Sequence, residues 1–203
     1  MPDITKLPII TISREYYAGG RSVAKALAEE LNIPWYDHDF VKLASKISGY
    51  SEEEVWAEGE ELSKLDKLID AMLSSVNLYT SSHDEINRAE KEAVLEIAKK
   101  PGIIVGRAAN AILRDAGIPS FDVFLYASKD VRVKRFMDKH SKEYEEALKS
   151  VEGRDHLRTQ YYEKYTGRKY ADSRDYTVCI DTGVIDYQKS TDIIVSILNN
   201  LYA

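Results

Sequence analysis

Residues 8–13, Pro-Ile-Ile-Thr-Ile-Ser, form a β-branched run with a proline in front and a glycine-containing turn, residues 16–20, behind. Such a run reads as a short buried strand. From Arg21 the apolar period changes: Val23, Ala24, Leu27, Ala28 and Leu31 recur at helical spacing. A buried strand, a glycine turn and a helix, in that order, put unpaired helix amides beside the end of the strand.

The alternation continues along the chain. Residues 34–36 read as a second strand ending at Asp37, and 40–47 as a helix broken by Gly49. Ser51 with Glu54 three residues on is a capping-box signature. Leu62, Leu65, Ile69 and Leu73 keep a helical period, and a long helix is expected over about 84–99. Further strands are predicted at 103–105, 121–126 and 176–180, with helices at 108–113, 128–138 and 187–201. Residues 141–165 read as two polar helices joined at Glu152-Gly153, and 166–175 as a basic loop. Short apolar strands alternating with helices predict an α/β fold, with a five-stranded, mostly parallel sheet covered on both faces.

At 203 residues the chain is one domain, or one domain carrying inserted lobes. A chain of that size buries about 70% of its unfolded surface and needs no disulfide or structural metal. Cys179 is the only cysteine, which excludes an internal disulfide and a cysteine-based zinc site. It is expected in the core of a buried strand, and cysteine usage fits a reducing, cytoplasmic setting. His38, His83, His140 and His156 lack ligand spacing. No apolar run reaches the ~20 residues of a membrane helix, and no signal-peptide pattern opens the chain.

The net charge of −6 argues against a nucleic-acid polymer as partner. The charge is uneven. Residues 128–174 hold 13 of the 28 basic and 9 of the 34 acidic residues, a net +4 against −10 for the remainder. One basic stretch in an acidic chain points to a local anionic ligand.

Three strand ends are candidate sites, because ligands of open α/β sheets bind beyond the carboxyl ends of strands. After the first strand, Arg14, Ala18, Gly19, Gly20, Arg21, Ser22 and Val23 lie where a phosphate-binding loop lies. The loop departs from G-x-x-x-x-G-K-[ST]: Glu15 stands at the opening glycine and Arg21 at the lysine. The loop alone reads equally as a plain strand–turn–helix. Asp37 ends the second strand and Arg107 follows the third, where either could equally be a solvated loop residue. Arg132 and Arg135 share one helix, and Arg154 and Arg158 lie one turn apart on another, with Asp155 between them. Guanidinium forks bind phosphate oxygens bidentately. A solvated charged face is the alternative reading of that segment.

Four stretches resemble, in order, the cytidylate kinase-like family, a divergent branch of the P-loop nucleoside monophosphate kinases. They are residues 10–16 with Gly19-Gly20-Arg21; Trp35-Tyr36-Asp37; residues 103–109 through 112–115; and Asp155, Arg158, Tyr161 and Tyr162 with Tyr165-Thr166-Gly167. The resemblance implies a three-layer α/β/α P-loop kinase fold in a single domain. Its core would be about 1–37, 100–137 and 175–203, with a helical acceptor-binding insertion at about 38–99 and a helical lid at about 138–172. The implied reaction is transfer of the γ-phosphoryl group of ATP, with Mg²⁺, to a nucleoside monophosphate, CMP or dCMP in particular. The implied partners are small nucleotides, not a membrane.

Roles follow from the resemblance. Arg14, Ala18, Gly19, Gly20, Arg21, Ser22 and Val23 would hold ATP, Arg21 would replace the loop lysine, and the Ser22 hydroxyl would hold Mg²⁺. Asp37, Arg107, Asp155 and Arg158 would bind the acceptor. Arg21, Arg135, Arg154 and Arg158 would close on the transferring group, with Asp155 orienting them. The chain lacks the serine-glycine pair and arginine that standard cytidylate kinases carry after the aspartate matched by Asp37, and Ala108 stands where they have an aspartate. Two alternatives therefore stay open: a P-loop kinase for another small acceptor, and a non-catalytic nucleotide-binding regulator.

Overall fold

A computed structural model describes residues 7–55 and 82–202. Five strands pair in parallel: β1 Ile9–Arg14, β2 Trp35–Tyr36, β3 Ile103–Val105, β4 Ser120–Tyr126 and β5 Val178–Asp181. Around them lie α1 Gly20–Leu31, α2 His38–Ser48, α3 Ser82–Ile97, α4 Ala109–Asp115, α5 Lys129–His140, α6 Tyr144–Thr166 and α7 Tyr187–Leu201. The sheet order is β2-β3-β1-β4-β5. β1 is therefore central, and the chain crosses over it between β3 and β4. That crossing is a topological switch point, where a crevice opens beyond the strand ends.

The sheet is covered on both faces. Ile10 and Ile12 of β1 join a core with Val23, Leu27, Ile194 and Leu198 of α1 and α7. Ile9 and Ile104 join a second core with Val41, Val94 and Leu113 of α2, α3 and α4. Burying each large apolar side chain contributes about 1.5–3 kcal/mol, so the two cores fix the three-layer α/β/α arrangement. The capping box forms as expected: the Ser51 amide donates to Glu54 Oε2 at 2.8 Å, and the Glu54 amide to Ser51 Oγ at 3.3 Å. The Ser51 hydroxyl, which donates to the same Oε2 at 2.7 Å, and then the Ser51 amide hold the Glu54 carboxyl below its ordinary pKa. Leu62, Leu65, Ile69 and Leu73 lie outside the described residues.

Two sequence expectations are corrected. Residues 141–165 are not two helices: α6 runs unbroken through Gly153. A helical glycine costs about 1 kcal/mol; Ala147 and Val151 before it, packed with Val133 and Phe136, and long-range bonds at Asp155, Tyr161 and Tyr162 after it offset that cost. Cys179 is exposed, not core. β5 is an edge strand, and only alternate residues such as Ile180 turn into the apolar layer.

Candidate active site

The turn after β1 leads into α1 through Gly19, whose φ of +88° suits glycine. A Cβ there would fall inside the Tyr187 ring at the start of α7, so the loop approaches that helix backbone-first. Val23 N–H is the first to find a helical acceptor, donating to the Gly19 carbonyl at 3.0 Å. The amides of Gly20, Arg21 and Ser22 precede it, and all three residues line a cavity of about 500 Å³. Two residues expected in this cradle do not join it. Val23 is core, with its amide in the helix, and Ala18 is buried, with its amide donating to the Glu15 carbonyl at 3.2 Å.

The same cavity is lined by Arg14, Arg135, Lys139, His140, Arg154, Arg158 and Tyr187. A smaller cavity, about 40 Å³, lies beyond β3 and is lined by Asp37, Arg107, Arg158, Arg14 and three tyrosines. Arg14 and Arg158 line both. The Arg14 side chain passes over Gly20 and Gly106, and a Cβ on either glycine would collide with it. Arg158 Nη1 donates to the Arg14 carbonyl at 3.3 Å, and its guanidinium stacks 5.1 Å from the Tyr16 ring centre.

Several arginines are already engaged. Arg21 Nε donates to Asp37 Oδ2 at 2.5 Å, and Arg14 stands 3.7 Å from Oδ1 of the same carboxylate. Asp37 thus holds two cations from the loop side. Arg135 is expected over the transferring group. Its guanidinium instead donates to the carbonyls of Thr182 (2.5 Å) and Tyr17 (3.2 Å), so it shapes the cavity wall. Asp155 is expected to orient the acceptor. It lines neither cavity: it accepts from the Tyr16 amide at 2.7 Å and from Arg132. Arg107 pairs with buried Glu90 at 2.7 Å. Arg168 pairs with Asp115 at 2.6 Å, which docks the basic loop on α4.

The residues that fix the loop are those a motif does not single out. Arg132, buried, reaches Glu15 at 3.2 Å and the Tyr16 carbonyl at 3.1 Å as well as Asp155. Glu15 Oε2 accepts from the Ala127 amide at the end of β4. Burial pushes the Glu15 carboxyl up, while that amide and Arg132 pull it down. The departure from a glycine at position 15 therefore has a use: the carboxylate ties the loop to the neighbouring strand. Arg132 was visible only as one of two arginines on a helix. Its partners are far along the chain, so spacing carried no signal for them.

A model of the cytidylate kinase-like family matches residues 9–184. The chain belongs to that family. Cytidylate kinase of Thermoplasma volcanium is 27% identical over 159 residues, covering 77% of this chain and 80% of the relative. Cytidylate kinase of Pyrobaculum islandicum is 25% identical over 204 residues, covering 96% and 97%. A solved protein from Eubacterium ventriosum superposes with a TM-score of 0.67 at 29% identity, over 94% of this chain and 98% of that one. Shikimate kinase of Bacteroides thetaiotaomicron shares the fold, with a TM-score of 0.56 at 17% identity over 94% and 98%.

Kinases of this family use nucleotides, and a magnesium–nucleotide complex would ask few ligands of the protein. Among the described residues no group of three or more His, Cys, Asp or Glu could hold an ion. Mg²⁺ needs only one or two protein oxygens when phosphates and water supply the rest. Ser22, which lines the larger cavity, and Asp37, which lines the smaller one and pairs with Arg21 and Arg14, carry hard oxygen donors of that kind. No helix among the described residues is long and apolar enough to cross a membrane.

Proposed function

We propose that this protein transfers the γ-phosphoryl group of ATP to a nucleoside monophosphate, with CMP and dCMP as preferred acceptors. The observation that carries the reading is the pair of adjoining cavities with Arg14 and Arg158 common to both. A donor and an acceptor must be held in line, with cations between them where negative charge moves. The glycine loop and the start of α1 supply the donor side, because helix amides and dipole favour phosphate. Arg107 at the end of β3 supplies the acceptor side. An acceptor phosphate oxygen attacks the γ-phosphorus, the bond to the β-phosphate oxygen breaks, and ADP leaves. Bound Mg²⁺, held by Ser22 and water oriented by Asp37, would neutralise the donor phosphates.

In this reading the acceptor-binding lobe would span about 38–99, of which 38–55 and 82–99 are described, and the lid about 138–172. The lid contributes Arg154 and Arg158 directly, while Asp155 and Arg132 hold the loop in shape. The preference for CMP rests on the family and on the cytidylate kinases at 25–27% identity.

The test is an acceptor panel with MgATP and coupled ADP detection: CMP, dCMP, UMP, AMP, GMP and non-nucleotide alcohols. The expected result is CDP from CMP, with dCMP next. ADP formed only with an alcohol or acid acceptor overturns the acceptor class. ATP binding with no turnover on any acceptor overturns catalysis and leaves a nucleotide-binding regulator.

A further inference from the structure

Glu90 of α3 is fully buried, and its two oxygens face different parts of the molecule. Oε1 accepts from Arg107 Nη1 at 2.7 Å, and Oε2 accepts from the Tyr161 hydroxyl on α6. Asn87, one helical turn before Glu90, donates to the same hydroxyl at 3.4 Å. Burial, then the Glu90 charge, raises the Tyr161 pKa well above the usual phenol value, so this hydroxyl stays a donor. One carboxylate therefore joins three elements: α3, the turn after β3, and α6.

Two features argue that this is more than cohesion. A buried ion pair adds little stability over an apolar substitute of the same shape, because desolvating two charges offsets their attraction. The backbone that presents Arg107 is also strained. Arg107 and Ala108, neither a glycine, adopt φ of 59° and 51° directly after Gly106 at 81°. Such strain persists where the surroundings impose a particular geometry. Arg107 and Tyr161 both line the smaller cavity, and Glu90 does not.

We infer that Glu90 is a positioning residue that couples acceptor binding to the lid: it fixes the Arg107 guanidinium for the acceptor phosphate with one oxygen and anchors α6 with the other. An anion bound to Arg107 shifts the guanidinium that Glu90 holds, and the change passes through the carboxylate to Tyr161 and so to α6. Arg158 lies on the same face of α6, one helical turn before Tyr161, and lines both cavities. Filling the acceptor side thus sets the arginine that serves the donor side. This inference rests on the kinase reading above.

The test uses the full chain and three variants, with CMP as the probe. Glu90→Gln keeps shape and removes charge: the KM for CMP should rise at least tenfold while the KM for ATP stays within twofold. Glu90→Asp, which restores the charge, should recover part of that loss. Tyr161→Phe should lower kcat with the KM for CMP within twofold. In hydrogen exchange, CMP should slow exchange of residues 144–166 in the wild type and not in Tyr161→Phe, a readout that needs no turnover. Equal effects of Glu90→Gln on both KM values, or none, overturn the inference, as does a CMP response of α6 that is absent from the wild type or unchanged in Tyr161→Phe. If Glu90→Gln does not fold, the Tyr161→Phe arms decide alone. A wild type that binds CMP but phosphorylates no nucleotide refutes the kinase reading, and the exchange arm still judges the coupling.

Discussion

Around Gly19 the cleft is lined by backbone amides and by cations that reach it from partly or fully exposed positions; around Arg107 it is lined by a cation held at a buried carboxylate. The Arg21 side chain is 59% exposed and its partner Asp37 9%, whereas Arg107 and Glu90 are 9% and 0%. The donor side is shaped before any ligand arrives, because Glu15, Arg132 and Asp155 fix the loop through backbone atoms. In the proposed reading the acceptor side has its cation set in advance, because Glu90 holds Arg107 in place. The same chemistry, arginine against an anion, thus serves as an open receptor on one side and as a pre-oriented one on the other.

The largest effect should come from the residue shared by both sides. Arg158→Ala should lower kcat roughly a thousandfold, the scale of losing an arginine from a phosphoryl-transfer site, measured with MgATP and CMP. Activity within tenfold of the wild type would break the link between the two cavities.

The next two predictions separate the sides by stability. Arg107→Ala leaves Glu90 charged and buried, which should cost about 3–5 kcal/mol by denaturant unfolding. Arg21→Ala removes an exposed partner and should cost less than about 1 kcal/mol, while lowering kcat roughly a hundredfold through lost charge stabilisation. Equal destabilisation by the two substitutions would erase the contrast.

The smallest effect concerns pH and lies away from the cleft. Asp122 on β4 is buried and accepts from Thr11 Oγ1 at 2.6 Å. Burial raises its pKa despite that bond. The folded state then holds this proton at a pH where the unfolded chain has lost it. Stability from this group is fully present below the ordinary carboxylate value of about 4, and it falls as pH rises through the raised one. Asp122→Asn should flatten that part of the curve of unfolding free energy against pH. An unchanged slope would remove Asp122 as its source.

How much of this could be read from the chain depends on range. All five strands, the glycine loop and the three layers were legible, since each is a local pattern: a β-branched run, a change of period, a proline or glycine. Gly153 misled because its local cost is real and its compensation is distant. Cys179 misled because an edge strand has the same composition as a central one. At the site, Arg14, Gly19, Gly20, Arg21, Ser22, Asp37, Arg107, Arg154 and Arg158 could be named from motif position, and all of them line one cavity or the other. The duties of Arg135 and Asp155 could not, because they depend on the carbonyls of Tyr17 and Thr182 and on the Tyr16 amide, which no spacing reveals. Glu90 sits in a helix rich in acidic residues and looks like any of them.

Tyr187, the first residue of α7, packs against Gly19, far from it in sequence. A chain emerging from the ribosome can close its central strands and still lack this wall. In the proposed reading the nucleotide pocket therefore takes its final form only after α7 has docked, and a chain lacking that helix should not capture ATP.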